Sequence, residues 1–190
     1  MNKIRVGFAL CGSFCTISKC LEQMKKLVAL GYEIIPIVSQ NLYNTDTRFG
    51  KSKDIIKEIE DICSKTVIST ITAAEPIGPK NMTDIMLVAP CTGNTLSKLD
   101  KAITDTPVTM AVKSHLRGHK PVLIALATND ALGASAKNLG SMLNVKNFFF
   151  VPMSQDDILK KPNSLVANFE LIAPSIEKAL KGEQIEPLFI

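Results

Sequence analysis

Four short stretches of this 190-residue chain gather small residues bearing hydroxyls and amides. They are Cys11-Gly12-Ser13-Phe14-Cys15-Thr16, Ser39-Gln40-Asn41, Pro90-Cys91-Thr92-Gly93-Asn94-Thr95 and Thr128-Asn129-Asp130. Each closes an apolar run and leads toward a helical or turn-like pattern. A helix N-terminus offers N–H groups without intrahelical partners and a partial positive charge, which together suit a phosphate. Ser13, Thr16, Ser39, Thr92 and Thr95 add hydroxyls, and Asn94 an amide. The same residue types are also the ordinary N-caps of helices, and one such loop alone would mean no more than that. Four together favour a shared anionic ligand. The candidate contacts are Gly12, Ser13, Phe14, Thr16, Ser39, Pro90, Thr92, Asn94, Thr95, Thr128 and Asn129.

The first loop is neither GxGxxG nor GxxxxGK[ST], so the dinucleotide and P-loop fingerprints are both missing. A mononucleotide with one phosphate and a planar head group fits better, and flavin mononucleotide (FMN) is one such ligand.

These loops need elements to position them. Apolar runs at 4–10, 33–39, 66–71, 84–90, 120–128 and 146–152 read as six strands. Pro36 puts the second strand at an edge or a bulge. Residues 40–50 read as polar and turn-like. Helical patterns begin at Thr16, with Ile17, Cys20, Leu21, Met24, Leu27 and Val28 on one face, and stop at Gly31. Further helices are expected around Ile55, Ile56, Ile59 and Ile62, then over 95–103, 107–116, 129–143 and 164–182, the last broken near Pro174. Strands alternating with helices predict right-handed crossovers and an α/β fold. The expected form is a three-layer αβα sandwich around a doubly wound, Rossmann-like parallel sheet. Ligands of such sheets sit beyond the carboxyl ends of the strands, where strand order reverses. Residues 1–190 read as one domain, with 164–190 a C-terminal helix and tail packed on it.

Composition narrows the function. Apolar residues make up 46% and aromatics 5%, with no Trp, so the core must be aliphatic. The net charge of +4 is spread without a dense basic block, which argues against nucleic acid. Five cysteines without a CxxC pair, and two histidines, do not suggest a disulfide framework or a zinc site. The start of the chain lacks a signal-peptide pattern and no apolar stretch is long enough to span a bilayer, so a cytoplasmic location is expected.

The string Ala89-Pro90-Cys91-Thr92-Gly93-Asn94-Thr95, with Lys98 a turn later, resembles the P-A/S-x-A-N-T stretch of the flavoprotein family. That family includes flavin-dependent cysteine decarboxylases and flavin prenyltransferases. Gly12-Ser13 is similar to its first phosphate loop, and Ser39 to the hydroxyl after its second strand. Asn129 stands where its P-x-M-N-x-x-M-W segment has the Asn. The resemblance spans most of residues 4–151. It implies a doubly wound parallel sheet, FMN as cofactor, and homo-oligomers built on trimers with flavin near subunit interfaces.

Within the family, GFALCGSFCT, APCTGNTLSKLDKAITDTPVTMAVKSHLRG and PVLIALATNDALG most resemble one half of a two-component synthase of sporulating bacteria. That branch implies oxidation of a small dicarboxylate, a dihydrodipicolinate-type intermediate, to pyridine-2,6-dicarboxylate in the mother-cell cytoplasm. It also implies a partner, the A-type component of the synthase, similar to a nicotinamide-dependent dehydrogenase and bringing NADP. Forming the aromatic ring removes a hydride equivalent, which a flavin or NADP accepts. Two departures stand out. There is no His before His115, and ATNDALG keeps only the Asn of the substrate-clamp motif. Two further roles are therefore weighed: a non-catalytic component that assembles with and activates the A-type partner, and an FMN-dependent decarboxylase.

The remaining candidates each carry two readings. Cys91, just ahead of a helix, is either a stabilised thiolate or a packed small side chain, and the same holds for Cys11 and Cys15. His115, Arg117 and His119 either complement a helix C-terminus or, with Lys113, grip a dicarboxylate. Phe148-Phe149-Phe150 reads as a buried strand or a contact to flavin or to another copy, and Lys160-Lys161 as a solvated turn.

Overall fold

A computed structural model of the protein describes residues 3–190. β1 (Arg5–Leu10) alternates its side chains between two cores. Val6, Phe8 and Leu10 face one side, and Ala9 faces the other with Cys11 just beyond the strand. α1 (Ile17–Ala29) lays Ile17, Cys20, Leu21, Met24 and Leu27 on the first side, while Val28 stays exposed. Gly31, at φ 92°, takes the left-handed turn that releases the chain into β2 (Glu33–Val38). β2 lies at the end of the strand order, consistent with Pro36. α2 (Gln40–Asn44) forms where a turn-like stretch was expected, because Ser39 caps it. α3 (Ser52–Cys63) buries Ile59 and packs Ile55, Ile56 and Ile62 against the first core.

Residues 66–71 do not form the expected third strand. Only Ile68 pairs, in a single parallel bridge to Ile37. Thr70 then accepts a hydrogen bond from the Ala73 N–H and starts α4 (Ile71–Ala74), so local capping overrides the β-branched run. β3 (Ile85–Cys91) is buried throughout, and α5 (Gly93–Asp100), α6 (Pro107–Leu116) and β4 (Val122–Thr128) follow. Pro107 opens α6 behind a Thr106–Thr109 capping box.

The helix expected over 129–143 is confined to α7 (Ala136–Met142). Asn129–Ser135 is a turn instead, tied by the Gly133 and Ser135 N–H groups donating to the Asp130 carbonyl. The last expected strand shortens to β5 (Phe148–Phe150), and β6 (Met153–Gln155) follows Pro152. The helix expected from 164 begins later. Leu165–Ala167 is β7, paired antiparallel with both β4 and β6. Asn168 then caps the turn into α8 (Ile172–Ala179), whose first turn holds Pro174 without a break.

The seven-stranded sheet is therefore mixed, in the order β2-β1-β3-β4-β7-β6, with β5 on the first half of β4. Helices α1, α3 and α8 pack on one face and α4, α5, α6 and α7 on the other, giving the three-layer αβα sandwich. The chain leaves β1 toward β2 on one side and returns to β3 on the other. This reversal opens a crevice at the carboxyl ends of β1 and β3.

Candidate functional site

A cavity of about 750 Å³ occupies that crevice. The loop after β1 gives it Gly12, Ser13, Phe14, Cys15 and Thr16, and α1 adds Lys19. The loop after β3 adds Thr92, Gly93 and Asn94, and the end of β4 adds Thr128, Asn129 and Asp130. Arg48 and Phe49 close one side, with the guanidinium 4.8 Å from the ring centroid. Asp156 and Lys161, an ion pair, stand on the loop between β6 and β7.

Eight of the candidate contacts thus share one wall: Gly12, Ser13, Phe14, Thr16, Thr92, Asn94, Thr128 and Asn129. Three do not line it. Ser39 accepts from the Leu42 N–H at 3.3 Å and caps α2. The Pro90 carbonyl accepts from the Cys11 N–H at 3.2 Å and joins the ends of β1 and β3. Thr95 is buried; its N–H donates to Thr92 Oγ1 and its hydroxyl donates to Cys11 Sγ, both at 3.2 Å.

Several wall residues escaped sequence reasoning. Lys19 carries a usable signal, because it follows Cys15 by one helical turn. Asp130 stands inside a motif already noticed. Arg48, Asp156 and Lys161 lie in polar connections with no local signature, and Lys161 belongs to the rim rather than to a plain solvated turn.

Electrostatics separates the thiols from the chemistry. Burial pushes Cys11 up to about 11 and Cys91 well above the usual thiol range. Both remain thiols at neutral pH, which corrects the reading of Cys91 as a stabilised thiolate. His115 is equally remote. Its Nε2–H donates to the Pro121 carbonyl at 2.9 Å, and its Nδ1 lies 2.8 Å from Thr83 Oγ1. These partners precede β4 and β3, at the end of the sheet opposite the cavity. The same end holds Lys113, Arg117 and His119 on or after the last turn of α6, so none of these groups grips a ligand in the crevice.

Residues 1–172 match the family model described as Flavoprotein. The chain belongs to the flavoprotein family. It is 46% identical over 186 residues to the B-type component of dipicolinate synthase from Bacillus subtilis (strain 168), covering 98% of this chain and 93% of that protein. The crystal structure of the same B-type component from Bacillus halodurans superposes with a TM-score of 0.91 at 44% identity, over 100% of this chain and 98% of that one. The crystal structure of the FMN-dependent cysteine decarboxylase SpaF shares the fold, with a TM-score of 0.71 at 19% identity over 94% and 95% of the two chains. As in these flavoprotein folds, a mixed sheet is flanked by helices. Among the described residues, no helix is long and apolar enough to cross a membrane.

Proposed function

We propose that this flavoprotein-family chain is the B-type component of a dipicolinate synthase, and that its cavity binds FMN or a related phosphate-bearing ligand. The carrying observation is that Ser13, Thr16, Thr92 and Asn94, from two separate loops, face one crevice beside Lys19. The donor set suits a mononucleotide: hydroxyls, an amide and, among the described residues, two cations without a carboxylate partner, Lys19 and Arg48. The volume lies within the usual range of small-molecule sites, about 300–1,000 Å³.

When bound, the flavin supplies a two-electron acceptor. Ser13, Thr16 and Asn94 hold and orient the ligand, and Phe14 and Phe49 shield it from water. The reaction is the oxidation of a dihydrodipicolinate-type intermediate to pyridine-2,6-dicarboxylate in the cytoplasm of a sporulating mother cell. The partner is the A-type component of dipicolinate synthase, which brings NADP, and the chain assembles as a trimer-based homo-oligomer. The near relatives that bear the B-type name support this reading, and the FMN-dependent relatives support the flavin.

Titration with FMN, alone and with the A-type partner, tests it. Ser13→Ala and Asn94→Ala should each cost on the order of 1–3 kcal/mol of binding. Unchanged affinity in both variants moves the site elsewhere.

One observation favours a second reading, a non-catalytic component that activates the A-type partner. Among the described residues, no His lines the cavity, and Cys11 and Cys91 are held as thiols. Colourless protein that raises the turnover of the A-type partner would select that reading. The same missing His argues against the FMN-dependent decarboxylase, and no carbon dioxide release from a peptidyl cysteine is expected.

A further inference from the structure

The N-terminus of α5 already has a carboxylate against it. Asp130 Oδ1 accepts from Thr128 Oγ1 at 2.5 Å, and Oδ2 accepts from Ser135 Oγ at 2.9 Å. The Gly133 and Ser135 N–H groups donate to the Asp130 carbonyl at 2.9 and 3.1 Å, which fixes the residue's backbone. Gly93, the first residue of α5, shows how close this triad stands. A Cβ there would lie 2.7 Å from Thr128 Oγ1 and 2.8 Å from both Asp130 Oδ1 and Ser135 Oγ. A fixed negative charge therefore sits where the helix would otherwise draw an anion. Lys19, in the first turn of α1 just after the loop that follows β1, and Arg48, on the connection between α2 and α3, are the wall's cations without a carboxylate partner among the described residues. Lys161 is matched by Asp156.

We propose that the Thr128–Asp130–Ser135 triad polarises the cavity. It keeps anionic groups off the α5 end and directs a ligand's phosphate to the loop after β1. A carboxylate offers about four lone-pair sites, and the two hydroxyls use two of them. The others accept an N–H or O–H from the ligand's head group, so Asp130 is a specificity and positioning residue. The inference rests on reading the crevice as a nucleotide-type site, but its sign is testable with a simple anion.

Inorganic pyrophosphate is titrated into the full-length protein and its variants by calorimetry. Asp130→Asn should bind it about tenfold more tightly than the native chain, and Lys19→Met/Arg48→Met about tenfold more weakly. Riboflavin, which lacks the phosphate, should bind Asp130→Asn about tenfold more weakly, because the charged acceptor is gone. Asp130→Ser keeps a hydrogen-bonding group between Thr128 and Ser135 and should repeat both signs if the amide variant loses its fold. Unchanged or weaker pyrophosphate binding on removal of the carboxylate overturns the inference, as does a complete lack of pyrophosphate binding by every variant. Native protein that binds neither FMN nor riboflavin overturns the flavin assignment instead, while the pyrophosphate arm still decides the polarity.

Discussion

The two ends of the sheet use similar polar residues in opposite ways. At the amino end the groups saturate one another. Arg5 donates to Asp84 through Nε at 3.0 Å and a terminal nitrogen at 2.7 Å, and the Arg5 N–H adds a third bond at 2.9 Å. Lys120 ties Asn81, the Thr83 carbonyl and Asp84, and His115 bridges Thr83 and Pro121. At the carboxyl end, Ser13, Asn94, Asn129, Lys19 and Arg48 line a cavity instead. Satisfied polar groups rigidify a fold, whereas spare donors around a hollow are what a ligand can use. Polar residue type therefore does not distinguish structure from function here; the partners do.

The contrast is sharpest at two glycines. A Cβ on Gly78 would meet the Ser114 carbonyl oxygen, a backbone atom of α6, at 2.0 Å, and the Gly78 N–H donates to Ser114 Oγ at 2.8 Å, which holds the two segments together. Gly78→Ala should therefore cost about 3 kcal/mol or more of stability, read from the denaturation midpoint. A loss below about 1 kcal/mol would show that the amino end yields more than its packing indicates. Gly93→Ala, facing the side-chain oxygens of the cavity triad, should cost less stability and disturb ligand binding more.

The next effect comes from His115. Burial holds its pKa down at about 4, from the ordinary value of 6.5. A carbonyl only accepts, so Nε2 carries the proton and the neutral ring accepts from Thr83 at Nδ1. The unfolded chain takes up a proton near pH 6.5 and the folded chain does not until near pH 4. Stability is thus full above pH 6.5 and falls as the pH drops toward 4, by roughly 3 kcal/mol in all. Asp84, held at about 2 mainly by its hydrogen bond to Arg5, adds a further loss at lower pH, below its ordinary value of 3.8. Denaturation midpoints across this range should slope for the native chain and flatten between pH 6.5 and 4 in His115→Gln. An equal slope in both would remove His115 from the account.

The sequence made the strands beside the crevice legible because β1, β3 and β4 carry continuous apolar runs, the pattern of strands in a sheet covered on both faces. It misled where a local device outweighed the pattern: Thr70 turned 66–71 toward a helix, and Asn168 delayed the last one. The antiparallel β6–β7 pair was invisible because three-residue strands carry no period to read. In the site, loops that follow strands could be found by position. Arg48, Asp156 and Lys161 could not, since tertiary folding alone brings them to the wall. Ser39, Pro90 and Thr95 look like wall residues in the sequence, yet their side chains or carbonyls serve caps and strand ends.

Asp84→Asn probes the saturated end more gently. The pair is about one-third exposed, with side-chain values of 31% and 31%, so water screens part of its attraction. A loss of about 1 kcal/mol is expected, with no change in FMN affinity.

Ser13→Ala closes the comparison from the other end. Its hydroxyl accepts from Thr16 Oγ1 at 3.1 Å, but that same donor also reaches the Ser13 carbonyl at 2.9 Å, which the substitution leaves in place. Stability should therefore move by no more than about 0.5 kcal/mol. Ligand affinity should move by more, because the hydroxyl faces the cavity. Equilibrium unfolding with and without FMN separates the two: equal midpoints without ligand, and a smaller ligand-induced rise in the variant. A variant that lost stability without ligand and kept the full rise would place Ser13 with the saturated groups and erase the distinction between the two ends.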